Sequence, residues 1–393
     1  MTHALDPLPL AQALIRCASI TPADAGAMAL VAEAARAAGF AVQESTAQDA
    51  SGGNRVKNLF AQLGQGRPML AFAGHVDVVP VGDSALWHYP PFAGQLADGR
   101  LHGRGSADMK SAIAAFIAAA SRWQGAGQGR GALALLITGD EEEGSPEGTR
   151  ALLDWCAARD LLPDAALIGE ASNDGHLGQG LRIGRRGSLN VIARASGIAG
   201  HVARPAGTRN AAHMLVHYLD ALVQRDWGEA DGIFPPTSLQ ITRLQVPHAA
   251  SNVIPAAAEA HFNLRFNRQQ SGAGLSAELA TLRDAVAPHV ALHCTISGEP
   301  YQCNSPRLED AVAAAVHAVT GLWPDRNAGG GVSDGRFIQR HCPVVEFGLV
   351  GDTIHQRDEN VAVADIGALV DIYAAAIDNF FANSKPADQR APA

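Results

Sequence analysis

Three short apolar runs constrain the fold more than any other feature of this sequence. They are "PMLAFAG" (68–74), "GALALLITG" (131–139) and "DAALIGE" (164–170). Each is too short for a typical helix and is apolar on both faces, as a strand covered by helices on both sides must be. Helical spacing lies between them, at 106–123 and 145–159. The first part of the chain is therefore predicted to be an α/β domain.

The pattern changes after residue 180. Strand patterns fall at 187–197, 237–246, 258–266 and 290–298, and helical patterns at 209–226 and 274–287. This order, β-α-β-β-α-β, is that of the ferredoxin-like unit. A helical pattern, an apolar strand and a terminal helix then follow, at 305–322, 343–349 and 365–381. We predict a discontinuous α/β domain (1–180 and 299–385), an inserted α+β domain (181–298) and a disordered tail (386–393).

Composition limits the partners and the location. Of the 393 residues 47% are hydrophobic and 18% charged, which is typical of a soluble globular protein, and no apolar stretch approaches the roughly 20 residues of a membrane helix. No secretory signal pattern is found, so the cytoplasm is the expected location and no membrane partner is expected. The net charge of -9 and the absence of a basic run longer than "GRRG" (184–187) argue against nucleic-acid binding.

The five cysteines do not form a metal or disulfide motif. They are widely spaced and include no C-x-x-C pair. A disulfide framework and a thiolate metal site are therefore not expected.

Acidic and imidazole side chains follow each strand of the first domain. His75 and Asp77 follow the first, the run "DEEE" (140–143) follows the second, and Glu170 ends the third. Because the carboxyl ends of parallel strands meet at one edge of a sheet, these groups are expected to converge. Converging carboxylates repel each other unless a cation is present, and histidine with carboxylates suits Zn, Co or Mn.

Two further residues are candidates for the same edge. Asp108 lies in the glycine-rich "GRGSADMKS", where a helix start would hold it rigidly, and His355 follows the final apolar strand. Taken singly, each group also fits a surface loop or a solvated helix start, and spacing alone does not assign the ligands. A competing motif, "GVSDG" (331–335), matches G-x-S-x-G with Ser333 as nucleophile, but no apolar strand precedes it.

The ordered motifs resemble those of the dinuclear zinc aminoacylase and carboxypeptidase family over about residues 7–382. They include "GHVDVVP", "GRGSADMK", "GDEEEGSPEGT", "GHVARP", "SNVIP", "GGGVSDGRFI" and "TIHQRDE". The resemblance implies a zinc-peptidase-like catalytic domain with a mixed sheet, interrupted by a dimerisation lid, and hence a homodimer. It also implies hydrolysis of the amide bond of a small N-acyl amino acid.

Carried onto matching positions, the resemblance implies two divalent ions, Zn or Co. It assigns the metal ligands as His75, Asp108, Glu142, Glu170 and His355. Asp108 would bridge the ions, with His75 and Glu170 on one and Glu142 and His355 on the other. Asp77 would orient His75, Glu141 would be the general base, and His201, from the partner subunit's lid, would stabilise the oxyanion.

The resemblance also suggests the substrate. Arg185, Ser188, Asn252, Arg265 and Gly331 match positions near an anionic substrate, and N-succinyl-LL-2,6-diaminopimelate is the substrate that the motifs imply. The sequence departs from that pattern at Val76, Arg204, Val332 and Gly351. A related N-acyl-amino-acid deacylase or dipeptidase is therefore an alternative. A serine hydrolase using Ser333 and a non-catalytic binding protein on the same fold remain as alternatives from other classes.

Overall fold

A computed structural model of the chain describes residues 5–48, 55–123, 130–142, 147–247, 250–331 and 333–382. The predicted tail (386–393) and Val332 lie outside the described residues. The chain divides into two compact units. Unit 1 comprises Met1–Ile183, Gln302–Asn327 and Ser333–Ala393, and unit 2 comprises Gly184–Tyr301 and Ala328–Val332. The sequence does not predict the return of 328–332 to unit 2.

The helices and strands of the described residues are numbered in chain order. The helices are α1 (Pro7–Arg16), α2 (Ala27–Ala37), α3 (Ser111–Arg122), α4 (Thr149–Ala157), α5 (Ala211–Val223), α6 (Gly272–Val286), α7 (Pro306–Thr320), α8 (Gly335–Ile338) and α9 (Val363–Ala382). The strands are β1 (Ala41–Gln48), β2 (Arg55–Gln65), β3 (Met69–His75), β4 (Gln95–Ala97), β5 (Arg100–His102), β6 (Gly131–Thr138), β7 (Ala165–Ile168), β8 (Gly180–Arg182), β9 (Gly184–Arg185), β10 (Gly187–Ser196), β11 (Gly200–His201), β12 (Ser238–Gln245), β13 (Val253–Ile254), β14 (Ala257–Phe266), β15 (Val290–Gly298), β16 (Tyr301–Gln302), β17 (Asp325–Asn327), β18 (Val344–Glu346) and β19 (Asn360–Ala362).

Unit 1 is built on a mixed sheet with the order β1-β2-β6-β3-β7-β18-β8-β17. β3 pairs in parallel with β6 and β7, and β7 in parallel with β18, whereas β1, β2 and β6 pair antiparallel. Every residue of β3, β6 and β7 is buried, which explains their unbroken apolar runs. Phe72 of β3 stacks on Phe116 of α3 at 4.3 Å and packs against Tyr373 of α9. The predicted α/β class with a mixed sheet is confirmed.

Unit 2 contains an antiparallel sheet with the order β12-β14-β10-β15. Along β14 buried and partly buried residues alternate after the first position, as expected for a sheet covered on one face. The buried face carries Phe262 and Leu264, and they belong to one apolar core with Leu215 and Tyr218 of α5 and Leu279 of α6. The β-α-β-β-α-β order and this sheet order are ferredoxin-like, as predicted.

The helix predicted for 106–123 is wrong at its start. Residues Ser106–Lys110 form an irregular turn in which Asp108 has non-helical angles (φ -126°, ψ 96°), and the Asp108–Met109 peptide is cis. Regular helix begins only at Ser111. Asp108 therefore precedes the helix instead of lying in its first turn. None of the described helices is long and apolar enough to cross a membrane.

Candidate metal centre

The predicted ligands of unit 1 come together at the carboxyl edge of its sheet. His75 ends β3 and is 1% exposed, and Glu142 and Glu170 follow β6 and β7 by a few residues. Asp108 comes from the irregular turn before α3. His355 lies in a turn after β18 and adopts a positive φ of 58°. The five donors thus come from five chain segments.

Asp108 lies between the two histidines. Its Oδ1 is 3.1 Å from His75 Nε2, and its Oδ2 is 3.3 Å from His355 Nε2. Glu170 Oε1 lies 3.5 Å from His75 Nε2, and Glu142 Oε1 lies 3.1 Å from His355 Nε2. Two donor sets therefore share one carboxylate: His75, Glu170 and Asp108 on one side, and His355, Glu142 and Asp108 on the other.

These distances fit the coordination of metal ions. Donors about 2.0–2.1 Å from a tetrahedral ion are about 3.3 Å from each other, and the four contacts between donor atoms described above span 3.1 to 3.5 Å. Imidazole and carboxylate donors without thiolate suit a divalent cation such as Zn. The residues present therefore fit a divalent metal site.

The charges of the site depend strongly on each other. Burial alone would lower the pKa of His75, but its contacts with Asp108, Asp77 and Glu170 raise it well above the ordinary value. Hydrogen bonds with Asp108 and Glu142 raise the pKa of His355 to about 10. Burial works against ionisation of Asp108, but the two histidines hold its pKa well below the usual range. In the absence of a metal ion the two histidines therefore bind protons more strongly than usual. The carboxylates around them thus favour positive charge at this site.

Asp77 connects the His75 strand with the acidic segment after β6. Its main-chain oxygen lies 3.0 Å from His75 Nδ1, closer than its carboxylate at 3.5 Å. The carboxylate instead accepts hydrogen bonds from the Thr21 hydroxyl (2.6 Å) and from the backbone N–H groups of Glu141 and Glu142 (3.1 Å). Asp77 thus positions two acidic residues in addition to His75. The contact between Asp77 and Thr21 could not be predicted from the sequence.

Glu141 lies beside the first donor set. Its carboxylate, the ring of His75 and the carboxylate of Glu170 offer ligand atoms within 4.8 Å of one another. Burial, followed by the nearby charge of Asp334, raises the pKa of Glu141 well above its ordinary value. A carboxylate with raised proton affinity next to the donors can accept a proton during a reaction. Asp334 was not among the predicted site residues.

His201 and Asn252 come close together in unit 2. His201 is exposed on β11, which pairs with β13, and the Val202 N–H donates to the Asn252 carbonyl at 3.1 Å. His201 Nδ1 accepts from the Ala203 N–H. Nδ1 is therefore an acceptor, and Nε2 carries the proton of a neutral ring.

The other predicted substrate contacts of unit 2 form two pairs. Arg185 is buried and donates to the carbonyl oxygens of Gly329 and Gly331 at 3.2 and 3.1 Å. Ser188 and Arg265 are directly opposed on β10 and β14, and the Ser188 hydroxyl accepts from Asn263. The structure thus brings Arg185 to Gly331 and Ser188 to Arg265.

Ser333 has no surroundings suited to a nucleophile. It is 1% exposed, and its hydroxyl donates to the buried carboxylate of Glu346 at 2.5 Å. The preceding strand, β17, ends at Asn327, and residues 328–331 are not strand, whereas a nucleophile elbow places the serine directly at the end of its strand.

Sequence relatives and solved structures are similar to this chain along nearly its whole length. A succinyl-diaminopimelate desuccinylase of Rhodospirillum centenum is 45% identical over 98% of this chain and 99% of that protein. Another of the same name, from Rhizorhabdus wittichii, is 47% identical over 94% and 96%. An M20 family metallo-carboxypeptidase from Sulfolobus solfataricus has a similar structure, with a TM-score of 0.76 at 14% identity over 96% of this chain and all of that one. A dinuclear metal binding peptidase of the M20 family from Bacillus subtilis gives 0.66 at 14% identity over 95% and 97%.

The solved structures show the fold, and the sequence relatives and the family profile show the protein family. The family profile described as Peptidase family M20/M25/M40 matches residues 71–379. This range holds every proposed metal donor as well as Asp77 and Glu141. The chain belongs to Peptidase family M20/M25/M40.

Proposed function

We propose that this protein hydrolyses N-succinyl-LL-2,6-diaminopimelate to succinate and LL-2,6-diaminopimelate, a step in the formation of diaminopimelate and lysine. The two donor sets that share Asp108, with Glu141 beside them, carry the reaction type. The substrate is supported by full-length relatives that are 45% and 47% identical and are named for this desuccinylation.

Two divalent ions, Zn or Co, are proposed as cofactors. His75 and Glu170 would hold one ion, Glu142 and His355 the other, and Asp108 both, in agreement with the contacts of its two oxygens. When bound, the ions would supply Lewis acidity toward the acyl carbonyl and the attacking water. A Bacillus subtilis protein of the same fold is described as binding a dinuclear metal.

Glu141 is the proposed general base. It would take a proton from water as the C–O bond forms and deliver it to the amine nitrogen as the C–N bond breaks, which yields a carboxylic acid and an amine; the acid then gives up the second water proton, so that a carboxylate and a protonated amine are released. Its raised pKa suits both halves of this transfer. Asp77 would fix the position of Glu141 through the backbone N–H and that of His75 through its main-chain oxygen.

The proposed domains are a catalytic domain (1–180 and 299–385) and a dimerisation lid (181–298), with a homodimer in the cytoplasm as the working form. β12 forms an edge of the unit 2 sheet, and its Ile241 and Leu244 are 37% and 56% exposed. In the described residues β12 pairs on one side only, and an outer strand that exposes such apolar side chains favours pairing with a second copy. His201 of the partner subunit would then stabilise the oxyanion.

The substrate contacts proposed from the resemblance are Arg185, Ser188, Asn252, Arg265 and Gly331. Arginine pairs well with the carboxylates of such a substrate. Among the departures, Arg204 is exposed close to His201 in sequence and could bind a further carboxylate. A Cβ at Gly351 would lie 2.8 Å from Ile354 Cδ1, so a larger residue there would require the tip of the isoleucine side chain to move.

The test is turnover of N-succinyl-LL-2,6-diaminopimelate by metal-stripped protein, with and without added Zn or Co. Hydrolysis that returns with metal is expected. Two bound ions without hydrolysis of this substrate would refute the proposed substrate, and assays with N-acetylated amino acids and dipeptides would then identify the acyl group accepted. Hydrolysis that persists in a chelator would refute the metal mechanism.

A further inference from the structure

Glu359 is a buried carboxylate that holds the turn of Asp108 in place. It is fully buried, and its Oε1 accepts hydrogen bonds from the backbone N–H groups of Gly105 (3.1 Å), Ala107 (2.9 Å) and Asp108 (3.3 Å). Three donors on one oxygen form a tight anion-binding arrangement. Without that carboxylate, three buried N–H groups would lose their acceptor, which is costly.

Arg104 connects the same carboxylate to the turn of His355. Its Nη1 donates to Glu359 Oε2 at 2.7 Å and to the Gln356 carbonyl at 3.1 Å, and its Nη2 donates to the His355 carbonyl at 3.4 Å. Arg104 is only 3% exposed. The guanidinium therefore contacts the backbone of a proposed metal ligand and the carboxylate that holds another.

Trp87 covers this ion pair. The Arg104 guanidinium carbon lies 5.2 Å from the centre of the Trp87 ring, within the range of a cation–π interaction. Trp87 is 8% exposed and is held by a hydrogen bond from its indole N–H to the Val81 carbonyl. Because the ring restricts water, the Arg104–Glu359 pair is stronger than a surface pair would be.

We infer that Trp87, Arg104 and Glu359 form a positioning unit that sets the distance between Asp108 and His355, and with it the affinity for the ion on the His355 side. This inference rests on the proposed two-metal function. Asp108 and His355 are 247 positions apart in the sequence, and this unit contacts the backbone of both. The ion between His355, Glu142 and Asp108 would depend on it for two of its three protein donors, whereas the ion on His75 and Glu170 would depend on it for one.

The test is titration of metal-stripped protein with Co(II), followed by calorimetry and by the visible absorption of the bound ion. In E359Q the side-chain amide oxygen can still accept from the three N–H groups. The amide NH2 group, however, replaces the oxygen that accepts from Arg104, so that hydrogen bond is lost. We expect the affinity for one Co(II) to fall about 10- to 100-fold, the usual effect of losing a group that orients a metal ligand, and the other to change less. R104K keeps the charge but cannot contact Glu359, Gln356 and His355 at once, so it should lower the affinity for the same ion.

The matched control is E309Q. Glu309 is another buried carboxylate of unit 1, 8% exposed, and its partner is Arg326 at 3.4 Å. E309Q should stay folded and bind both ions as the wild type does. Wild-type Co(II) affinity in folded E359Q, or equal weakening in E309Q, would overturn the inference; if E359Q does not fold, R104K decides by the same criterion. Wild-type protein that fails to bind two ions would instead refute the proposed function.

Discussion

Replacing Gly348 by alanine is expected to destabilise the protein and to disturb Glu170. Gly348 follows β18, and a Cβ at this position would lie 2.5 Å from the Glu170 carbonyl oxygen, 2.8 Å from its carbonyl carbon and closer still to the Gly169 oxygen. Ordinary contacts of this kind are 3.4–4 Å, so the backbone would have to separate by about 1 Å. Gly348 cannot retreat easily, because its carbonyl accepts from Asn173 at 2.8 Å and its N–H donates to the Ser172 hydroxyl.

The expected loss of unfolding free energy is about 1–3 kcal/mol, the usual cost of overpacking. At about 2–4 °C per kcal/mol for a domain of this size, the unfolding temperature should fall by several degrees. Scanning calorimetry of metal-stripped protein measures this directly. Co(II) titration of the same variant should show weaker binding on the Glu170 side, since the shifted carbonyl belongs to the ligand residue.

Gly367 provides the matched control. It lies inside α9 and is exposed, and nothing lies within 4 Å of a Cβ placed on it. Gly367→Ala should therefore stabilise the protein by about 0.5–1 kcal/mol, because alanine is the better helix former. An unfolding temperature of Gly348→Ala equal to or above that of the wild type, while Gly367→Ala shows its gain, would refute the packing argument.

Three further predictions test the site. Glu141→Gln should keep both metals, measured by elemental analysis, and lose about 10²- to 10⁴-fold in turnover; wild-type turnover would remove Glu141 from the mechanism. Ser333→Ala should keep hydrolysis but lose about 1.5–3 kcal/mol of unfolding free energy in urea, because its hydroxyl donates to buried Glu346; a folded but inactive variant would restore the serine hydrolase hypothesis. Burial raises the pKa of Asp334 from 3.8 to about 6, so the folded state favours the protonated form and the contribution of this group to wild-type stability should fall as the pH rises from about 4 to 6. Asp334→Asn should lack this loss, and its stability relative to the wild type should rise over that range by at most about 3 kcal/mol; a difference that stays constant with pH contradicts this reasoning.

The strands that carry the site could be predicted because they are buried on both faces. β3, β6 and β7 leave an unbroken apolar signal, and β14 leaves an alternating one. β1 leaves neither, since it is an edge strand with no buried residue. The local sequence therefore indicates whether a strand is buried on one face or on both. It gives no clear pattern for an edge strand without buried residues.

The turn at Asp108 shows why a local pattern can mislead. The helical spacing from residue 106 is present in the sequence, yet regular helix begins at Ser111. The N–H groups of Ala107 and Asp108 are bound by Glu359, more than 250 residues away, and Gly105 takes a positive φ of 86°. A tertiary acceptor thus replaces the helical start, and no window of local sequence contains it.

The convergence of the proposed donors could be predicted, but their pairing could not be derived from spacing. Convergence of His75, Glu142 and Glu170 follows from their positions after neighbouring strands. That Asp108 directs one oxygen to each histidine is a matter of side-chain geometry, and before the structure it rested on family resemblance alone. The contact of Asp77 with Thr21, which lies 56 residues earlier, leaves no pattern at all.

The order of the donors along the chain has a consequence for synthesis. His355 lies 185 residues after Glu170 in the sequence, and all residues of unit 2 lie between them. At about 5–20 residues per second, a ribosome needs roughly 10–40 s to cover that distance. During this interval the nascent chain carries His75, Asp108, Glu142 and Glu170 without their last partner. A newly made molecule can therefore bring all five proposed donors together only after His355 has been synthesised, and loading of the proposed metal site is expected to follow that step.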